Sequence, residues 1–502
     1  MTALLACITG CAVNPVTGDR ELILVSGEQE QAIGEQNYVP MQQGQGGVYD
    51  TDPALTAYVQ AIGNQLADAS GVKLPYEFVV LNNSIPNAWA LPGGKIAINR
   101  GLLIELRSEA ELAAVLSHEI VHAAARHTAQ QLSRGMLMQG LVVATSVATN
   151  DSSYGKLAVG GASVAAQITL MKYGRDAELE SDKFGMRYMS KAGYDPQGAV
   201  TLQETFVRLS EGRNENWLSG LLASHPPSKE RVRANRKRAS KLPAGGKPGV
   251  DSFKAAMQRT MATKPAYDAY DRGRKALGEE NIDAALAFSN EALALFPGEA
   301  HFHSLRGDVR LVKTQFDMAV TNYDRAINRR KYFFYFHLQR GIAKHELGQI
   351  DAAIVDLENS IELLETAPAH LRLGQIKEER GQFEAAIKHY KVVAKSDGKN
   401  AKTAYDALVR LELPAQPASY ISSACGNDGG QIVVQVRNDT SVQVTGVRAQ
   451  FQYVDSAGDQ RQRIQAFSGT IAPGEVASAR TGLAPSPGTR CAAEVIAAQI
   501  AP

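Results

Sequence analysis

Four glycines set a register that few folds can satisfy. They stand at Gly273, Gly307, Gly341 and Gly374, spaced 34, 34 and 33 residues apart. Twelve residues after each comes an alanine: Ala285, Ala319, Ala353 and Ala386. Ala292 and Ala326 repeat one step further on, Tyr323 and Tyr390 share an aromatic position, and Pro297 closes the first unit. Small residues at fixed offsets are what two helices need where they cross closely. A period of this length is one helix–turn–helix unit that cannot bury its apolar face alone, so neighbouring units must stack. Four units predict about eight helices over 265–413.

A 34-residue helical pair is the tetratricopeptide period, and such an array presents a groove for protein partners. The chemistry lies upstream of it. His118-Glu119-Ile120-Val121-His122 reads HEIVH, the HExxH pattern of zinc hydrolases. On a helix, positions i and i+4 share a face, so His118 and His122 can hold one Zn²⁺. Glu119 lies roughly 100° round the helix, where it can polarise a water without being a ligand. Ser108 and Glu111 have capping-box spacing, and Leu112, Val115 and Leu116 supply an apolar stripe. His127, five residues past His122, falls off the ligand face and reads as structural.

A zinc hydrolase wants three protein ligands and one open position. The third candidate is on the predicted helix Arg175 to Lys191. Glu178 and Asp182 are four residues apart on one face, so one can bind metal while the other accepts the free N–H of a ligand histidine. Glu180 points about 160° away from Glu178 and is the poorer ligand.

These residues resemble the M48 zinc metalloproteases. The resemblance rests on HEIVH, on an R-x-x-E-x-x-x-D helix (Arg175, Glu178, Asp182), on Ser224-His225-Pro226 with Arg231, and on Asn87-Ala88-Trp89-Ala90-Leu91-Pro92-Gly93-Gly94. It covers roughly 14–237, and Gly174 replaces the serine that often precedes the arginine. The resemblance implies one Zn²⁺ per chain on His118, His122 and Glu178, with Asp182 in support. It gives His225 two roles: an oxyanion donor, or a fourth zinc ligand that must leave before water binds. It gives Arg231 the task of holding that loop or binding substrate carbonyls. Lys95-Ile96-Ala97-Ile98-Asn99 alternates polar and apolar residues as a strand with one buried face, a candidate edge for an extended substrate. With the repeats, the likeness points to the periplasmic branch of the family: an endopeptidase for unfolded or misassembled proteins, docked through its repeats to outer-membrane assembly machinery. The rival reading is a chaperone or scaffold with a silent or self-inhibited zinc site.

The ends of the chain bear on where it works. Met1 to Cys11 is apolar, and Ile8-Thr9-Gly10-Cys11 has the form of a lipoprotein processing site, with Cys11 carrying the lipid. Several acyl chains on Cys11 would tether a soluble body to the outer membrane. No run of 18 apolar residues exists, so membrane contact is expected through the anchor alone. The 53 basic residues balance 52 acidic ones, which removes any bulk case for nucleic acid. Gly135 to Leu170 is rich in Ala, Gly and Val and reads as core helices. Beyond Pro414 and Pro417 the chain turns to β-formers, which predicts a small β-sandwich over 418–502. Cys425 and Cys491 are positioned to bridge its first and last strands, worth about 4 kcal/mol in an oxidising compartment. The predicted architecture is multidomain: a leader over 1–10, a mainly α, zincin-like α+β metalloprotease domain over 11–262, an α–α tetratricopeptide solenoid over 265–413 and a β-sandwich.

Overall fold

The computed structural model of the protein describes residues 11–135, 173–212, 225–226, 228–396 and 398–502. The leader over 1–10, and the Ala/Gly/Val-rich stretch beyond Gly135, lie outside these residues. The chain forms two compact units, Met1–Leu364 and Glu365–Pro502.

The first unit opens with a hairpin of β1 (Cys11–Val13) and β2 (Arg20–Leu22). Helix α1 (Gly27–Gly44) starts at Ser26, whose hydroxyl accepts from the Gln29 amide while the Gln29 side chain accepts from the Ser26 amide. Both halves of this capping box satisfy amides that the first helical turn leaves open. Helix α2 (Pro53–Ser70) follows. A three-stranded sheet comes next: β3 (Glu77–Leu81), β4 (Ala88–Leu91) and β5 (Lys95–Asn99).

The strand order is β3-β5-β4, which corrects the expected edge. Lys95–Asn99 is the central strand, parallel to β3 and antiparallel to β4. All five of its residues are buried. Ile96 and Ile98 face the main core, whereas Ala97 packs with Tyr38, Met41 and Trp89 on the other side. The Lys95 ammonium is spent on Glu77. The polar–apolar alternation therefore divides two half-cores rather than core from solvent.

Helices α3 (Arg100–Glu105), α4 (Glu109–Ala124), α5 (Arg175–Lys191), α6 (Gln197–Gly212), α7 (Lys229–Ala239) and α8 (Val250–Ala256) complete the layer around this sheet. The α4 helix carries HEIVH and is buried along its whole length. Ser108 caps it by accepting from the Glu111 amide at 3.1 Å. The Glu111 carboxylate reaches the Arg107 amide instead of completing the box.

Paired helices then follow: α9 (Gln258–Gly278) with α10 (Ile282–Leu295), α11 (Ala300–Val312) with α12 (Phe316–Arg329), and α13 (Phe334–Glu346) with α14 (Ile350–Leu363). The expected boundary at 263–264 falls inside α9, which runs on through Pro265. Tyr267 and Ala269 of this helix share one core with the HEIVH helix, so no linker separates the first repeat from the layer before it. The repeat glycines are explained by contact. A Cβ on Gly307 would sit 2.6 Å from Tyr323, one on Gly374 2.6 Å from Tyr390, and one on Gly341 2.9 Å from Leu357.

The second unit holds a fourth pair, α15 (Ala367–Glu379) with α16 (Phe383–Val393), then α17 (Lys399–Glu412). Seven strands follow: β6 (Ile421–Asp428), β7 (Gln431–Asn438), β8 (Val444–Val454), β9 (Gln460–Ala466), β10 (Thr470–Ile471), β11 (Val476–Arg480) and β12 (Ala492–Ile500). They form two antiparallel sheets. One has the order β11-β7-β6; the other sets β8 between β12 on one side and β9 and β10 on the other. Val434, Val436, Phe451 and Val495 pack in a single core with Tyr390 and Leu408 of the helices. A disulfide joins Cys425 to Cys491.

Candidate metal centre

Helix α4 presents His118 and His122 one turn apart, with their Nε2 atoms 3.0 Å from each other. Helix α5 brings Glu178 to the same point. Its Oε2 lies 3.4 Å from His118 Nε2 and its Oε1 3.3 Å from His122 Nε2. His225 arrives from a loop and places Nδ1 2.9 Å from Glu178 Oε1 and 3.3 Å from His118 Nε2. Donor atoms of His118, His122, Glu178 and His225 all lie within 4.8 Å of one another, and all four residues are buried.

Groups behind the donors aim them. Asp182, one turn along from Glu178, has Oδ1 3.1 Å from His118 Nδ1. A carboxylate can only accept, so His118 donates from Nδ1, and in a metal-binding form its Nε2 would turn a lone pair toward the cluster. Arg231 clamps Asp182 with two bonds, Nε to Oδ2 at 2.8 Å and Nη2 to Oδ1 at 2.7 Å. Its Nη1 lies 2.7 Å from Glu178 Oε2 and donates to the Pro226 carbonyl at 3.3 Å. Of the two tasks expected of Arg231, the geometry fits holding the His225 loop rather than binding substrate: its guanidinium is buried and committed to two carboxylates and the Pro226 carbonyl, which makes it a positioning residue rather than a catalytic one.

Two supports were not anticipated. His127 Nδ1 lies 2.9 Å from His122 Nδ1, so His127 does for His122 what Asp182 does for His118. An uninterrupted helix would carry it away. The helix ends at Ala124, and Arg126 takes a left-handed φ of +63°, which folds His127 back onto His122. That conformation costs a residue with a Cβ roughly 1–2 kcal/mol. It is held by Arg126 bonds to Glu30 and to the Val25 carbonyl at 2.9 Å. Tyr173 stacks its ring on His122 at 3.8 Å between centroids, and its hydroxyl meets Thr128 Oγ1 at 3.0 Å. A histidine just past HExxH is the signal that could have found the first; nothing local marks Tyr173.

The electrostatics follow from crowding. Burial pushes His118 down, but Glu178 and Asp182 more than offset it, and its pKa rises to about 9. Burial alone would raise Asp182, yet Arg231 holds it well below the usual carboxylate range. Burial drives His122 down and keeps it neutral. Burial raises Glu119 against the pull of His225 and His118. Glu119 Oε2 and His225 Nε2 are buried without a hydrogen-bond partner, although His225 Nε2 stands 3.5 Å from Glu119 Oε1. Two imidazole nitrogens, a carboxylate, a facing fourth nitrogen and orphaned polar atoms together fit a metal ion.

Residues 53–239, from the start of α2 to the end of α7, match Peptidase family M48. That stretch is an M48-like domain. It is 27% identical over 308 residues to the beta-barrel assembly-enhancing protease of Escherichia coli (strain K12), a match covering 56% of this chain and 61% of that protein. It is 32% identical over 202 residues to a putative beta-barrel assembly-enhancing protease of Vibrio cholerae, covering 38% and 40%. The mitochondrial metalloendopeptidase OMA1 of Schizosaccharomyces pombe is 32% identical over 187 residues, covering 36% and 51%. The chain thus spans about three fifths or less of the length of these relatives. A thermophilic TPR protein of Thermus thermophilus is similar at 18% identity over 32% of this chain and 90% of that one, with a TM-score of 0.27. The helical pairs seen directly in this chain carry the repeat assignment. The M48 match takes in the whole donor set, His118, His122, Glu178 and His225, and the groups that aim it.

Proposed function

We propose that this chain is a zinc endopeptidase of the bacterial cell envelope that cuts misfolded or stalled proteins. One observation carries the reading: four donor atoms converge within 4.8 Å beside the buried carboxylate of Glu119. His118, His122 and Glu178 would hold zinc, which in such sites supplies Lewis acidity to a water and to the scissile carbonyl. Glu119 accepts the proton of the attacking water and returns it to the leaving amine. Asp182, His127 and Arg231 fix the ligands and keep their tautomers.

His225 stands where a fourth donor would, 3.3 Å from His118 Nε2. This favours a resting state capped by His225, in which the loop withdraws before substrate enters. Capping reconciles the protease with the scaffold reading, since a capped chain still offers its repeats to partners. An extended substrate would add to Ala88–Leu91, which pairs with one strand only among the described residues. Ala88 lines the same cavity as His118 and Glu119.

The names of the bacterial relatives support a setting in outer-membrane protein quality control, with the repeats engaging clients or assembly machinery. A lipid on Cys11 would tether the chain there. The two C-terminal sheets, sharing one core and a disulfide, read as a β-sandwich suited to an oxidising compartment.

The test is Glu119→Gln. It should lower cleavage of an unfolded substrate by about 10²–10⁴-fold while zinc content and client binding persist. Equal cleavage by both proteins would sink the protease reading.

A further inference from the structure

The support behind His122 does not end at His127. His127 Nε2 lies 3.4 Å from Glu180 Oε1. The same Glu180 oxygen accepts from Asn14 Nδ2 at 3.1 Å. Asn14 is wholly buried, although it belongs to the turn between β1 and β2, 166 residues from Glu180 in sequence. That turn is built around it. Its Oδ1 accepts from the Val16 amide at 2.9 Å, its amide donates to the Asp19 carbonyl at 2.8 Å, and its carbonyl accepts from the Gly18 amide at 2.9 Å. The hairpin is pinned from a second side, where Glu21 accepts from Gln130, just past His127, and from Asn14 Nδ2 at 3.1 Å.

The donors and acceptors along this path fit one assignment. Asn14 can only donate from Nδ2, and Glu180 can only accept. His127 Nε2–H then donates to Glu180, which leaves its Nδ1 as an acceptor. His122 must donate from Nδ1, and its Nε2 presents a lone pair to the cluster. Both ring tautomers are set from Glu180 inward, and Asn14 holds Glu180 in place. Glu180, on the far side of α5 from Glu178, reaches the metal centre through His127.

We infer that the N-terminal turn at Asn14 is a positioning element of the metal centre, acting through Glu180 and His127 to fix the ring of His122. Undocking the turn would free Glu180, let His127 rotate and lower the affinity of His122 for metal. The turn then reports its docked state to the site with no residue of its own touching metal or substrate. This inference rests on the zinc reading above and extends it to residues outside the ligand set.

The experiment measures apparent zinc affinity of the full chain by competition with a chromophoric chelator. Groups of this kind tune metal affinity by about 10–100-fold, so His127→Ala should weaken binding by that factor. His127→Asn keeps an acceptor near the Nδ1 position but loses the Nε2–H, so it should recover most of the loss. Asn14→Ala should weaken zinc roughly 2- to 10-fold in the wild-type background, the worth of one hydrogen bond. In the His127→Asn background it should have no effect. If the wild type binds no zinc, the metal reading itself fails. If the wild type binds and His127→Ala matches it, the path has no role. If Asn14→Ala costs the same in both backgrounds, the turn acts on stability alone and the coupling is overturned. Should His127→Ala not fold, the Asn14→Ala pair of measurements decides the question.

Discussion

Glu178 and Glu299 are both buried glutamates in contact with histidine, and they sit in very different company. Glu299, in the second repeat, receives Tyr267 OH at 2.6 Å, Thr51 Oγ1 at 2.7 Å, Asn82 Nδ2 at 3.2 Å and the His301 amide at 3.1 Å. His301 Nδ1 adds a further contact at 3.0 Å. Its acceptors are filled by hydroxyl and N–H donors. Glu178 instead meets imidazole nitrogens of His118, His122 and His225, with the Arg231 guanidinium on its Oε2. His118 and His122 have already committed their other nitrogen to Asp182 and His127. A buried carboxylate saturated by hydroxyl and amide donors ties elements together; one on which several imidazole nitrogens converge has the surroundings of a metal ligand. Glutamate and histidine thus build a brace in one region and a candidate metal centre in the other, and the hydrogen-bond inventory tells them apart.

That contrast can be broken first at Glu178. Glu178→Gln should take metal content from about one zinc per chain toward none, read by elemental analysis, while the fold persists by circular dichroism. Zinc retained in Glu178→Gln, or lost in Glu299→Gln with the fold intact, would erase the distinction. Stability should respond the other way. Glu299→Ala leaves Tyr267, Thr51, Asn82 and His301 without their shared buried acceptor and should destabilise the first unit by about 3–5 kcal/mol in denaturant unfolding, with zinc stoichiometry unchanged. A smaller effect sharpens the point at a neighbouring residue. His303 is buried, and burial pushes its pKa down to about 4 while its Nε2–H donates to the Pro297 carbonyl at 3.0 Å. The folded chain therefore refuses a proton that the unfolded chain accepts below about 6.5. Its contribution is complete above that pH and is lost as pH falls from 6.5 to 4, by at most about 3 kcal/mol. His303→Gln, which keeps the donor, should flatten that slope in denaturant midpoints taken between pH 7 and 5.

The repeats were legible because their signature is steric. Gly307 and Gly374 lie under Tyr323 and Tyr390 with no room for a methyl group, so spacing in sequence is spacing in space. The pair Glu178 and Asp182 was legible because one helical face delivers both. His127 was not, because the turn that returns it depends on Glu30 and the Val25 carbonyl, about a hundred residues away. The place of Lys95–Asn99 was hidden for a different reason. Alternation records that two faces differ, and it cannot say whether the second face meets water or another core. Tyr173 carries no periodic or motif signal at all.

The continuity of α9 has a practical consequence for anyone dividing this protein. A cut after 262 would sever that helix within its second turn. It would remove Tyr267, whose ring lies 3.6 Å beneath the Arg100 guanidinium and whose hydroxyl meets Thr51. Arg100 would then lose its aromatic cover, and the floor of the β-sheet layer would face water. A fragment that keeps the peptidase intact has to extend at least to Gly278. Any pull on the first repeat is therefore felt in the peptidase core as a lever rather than as a tether.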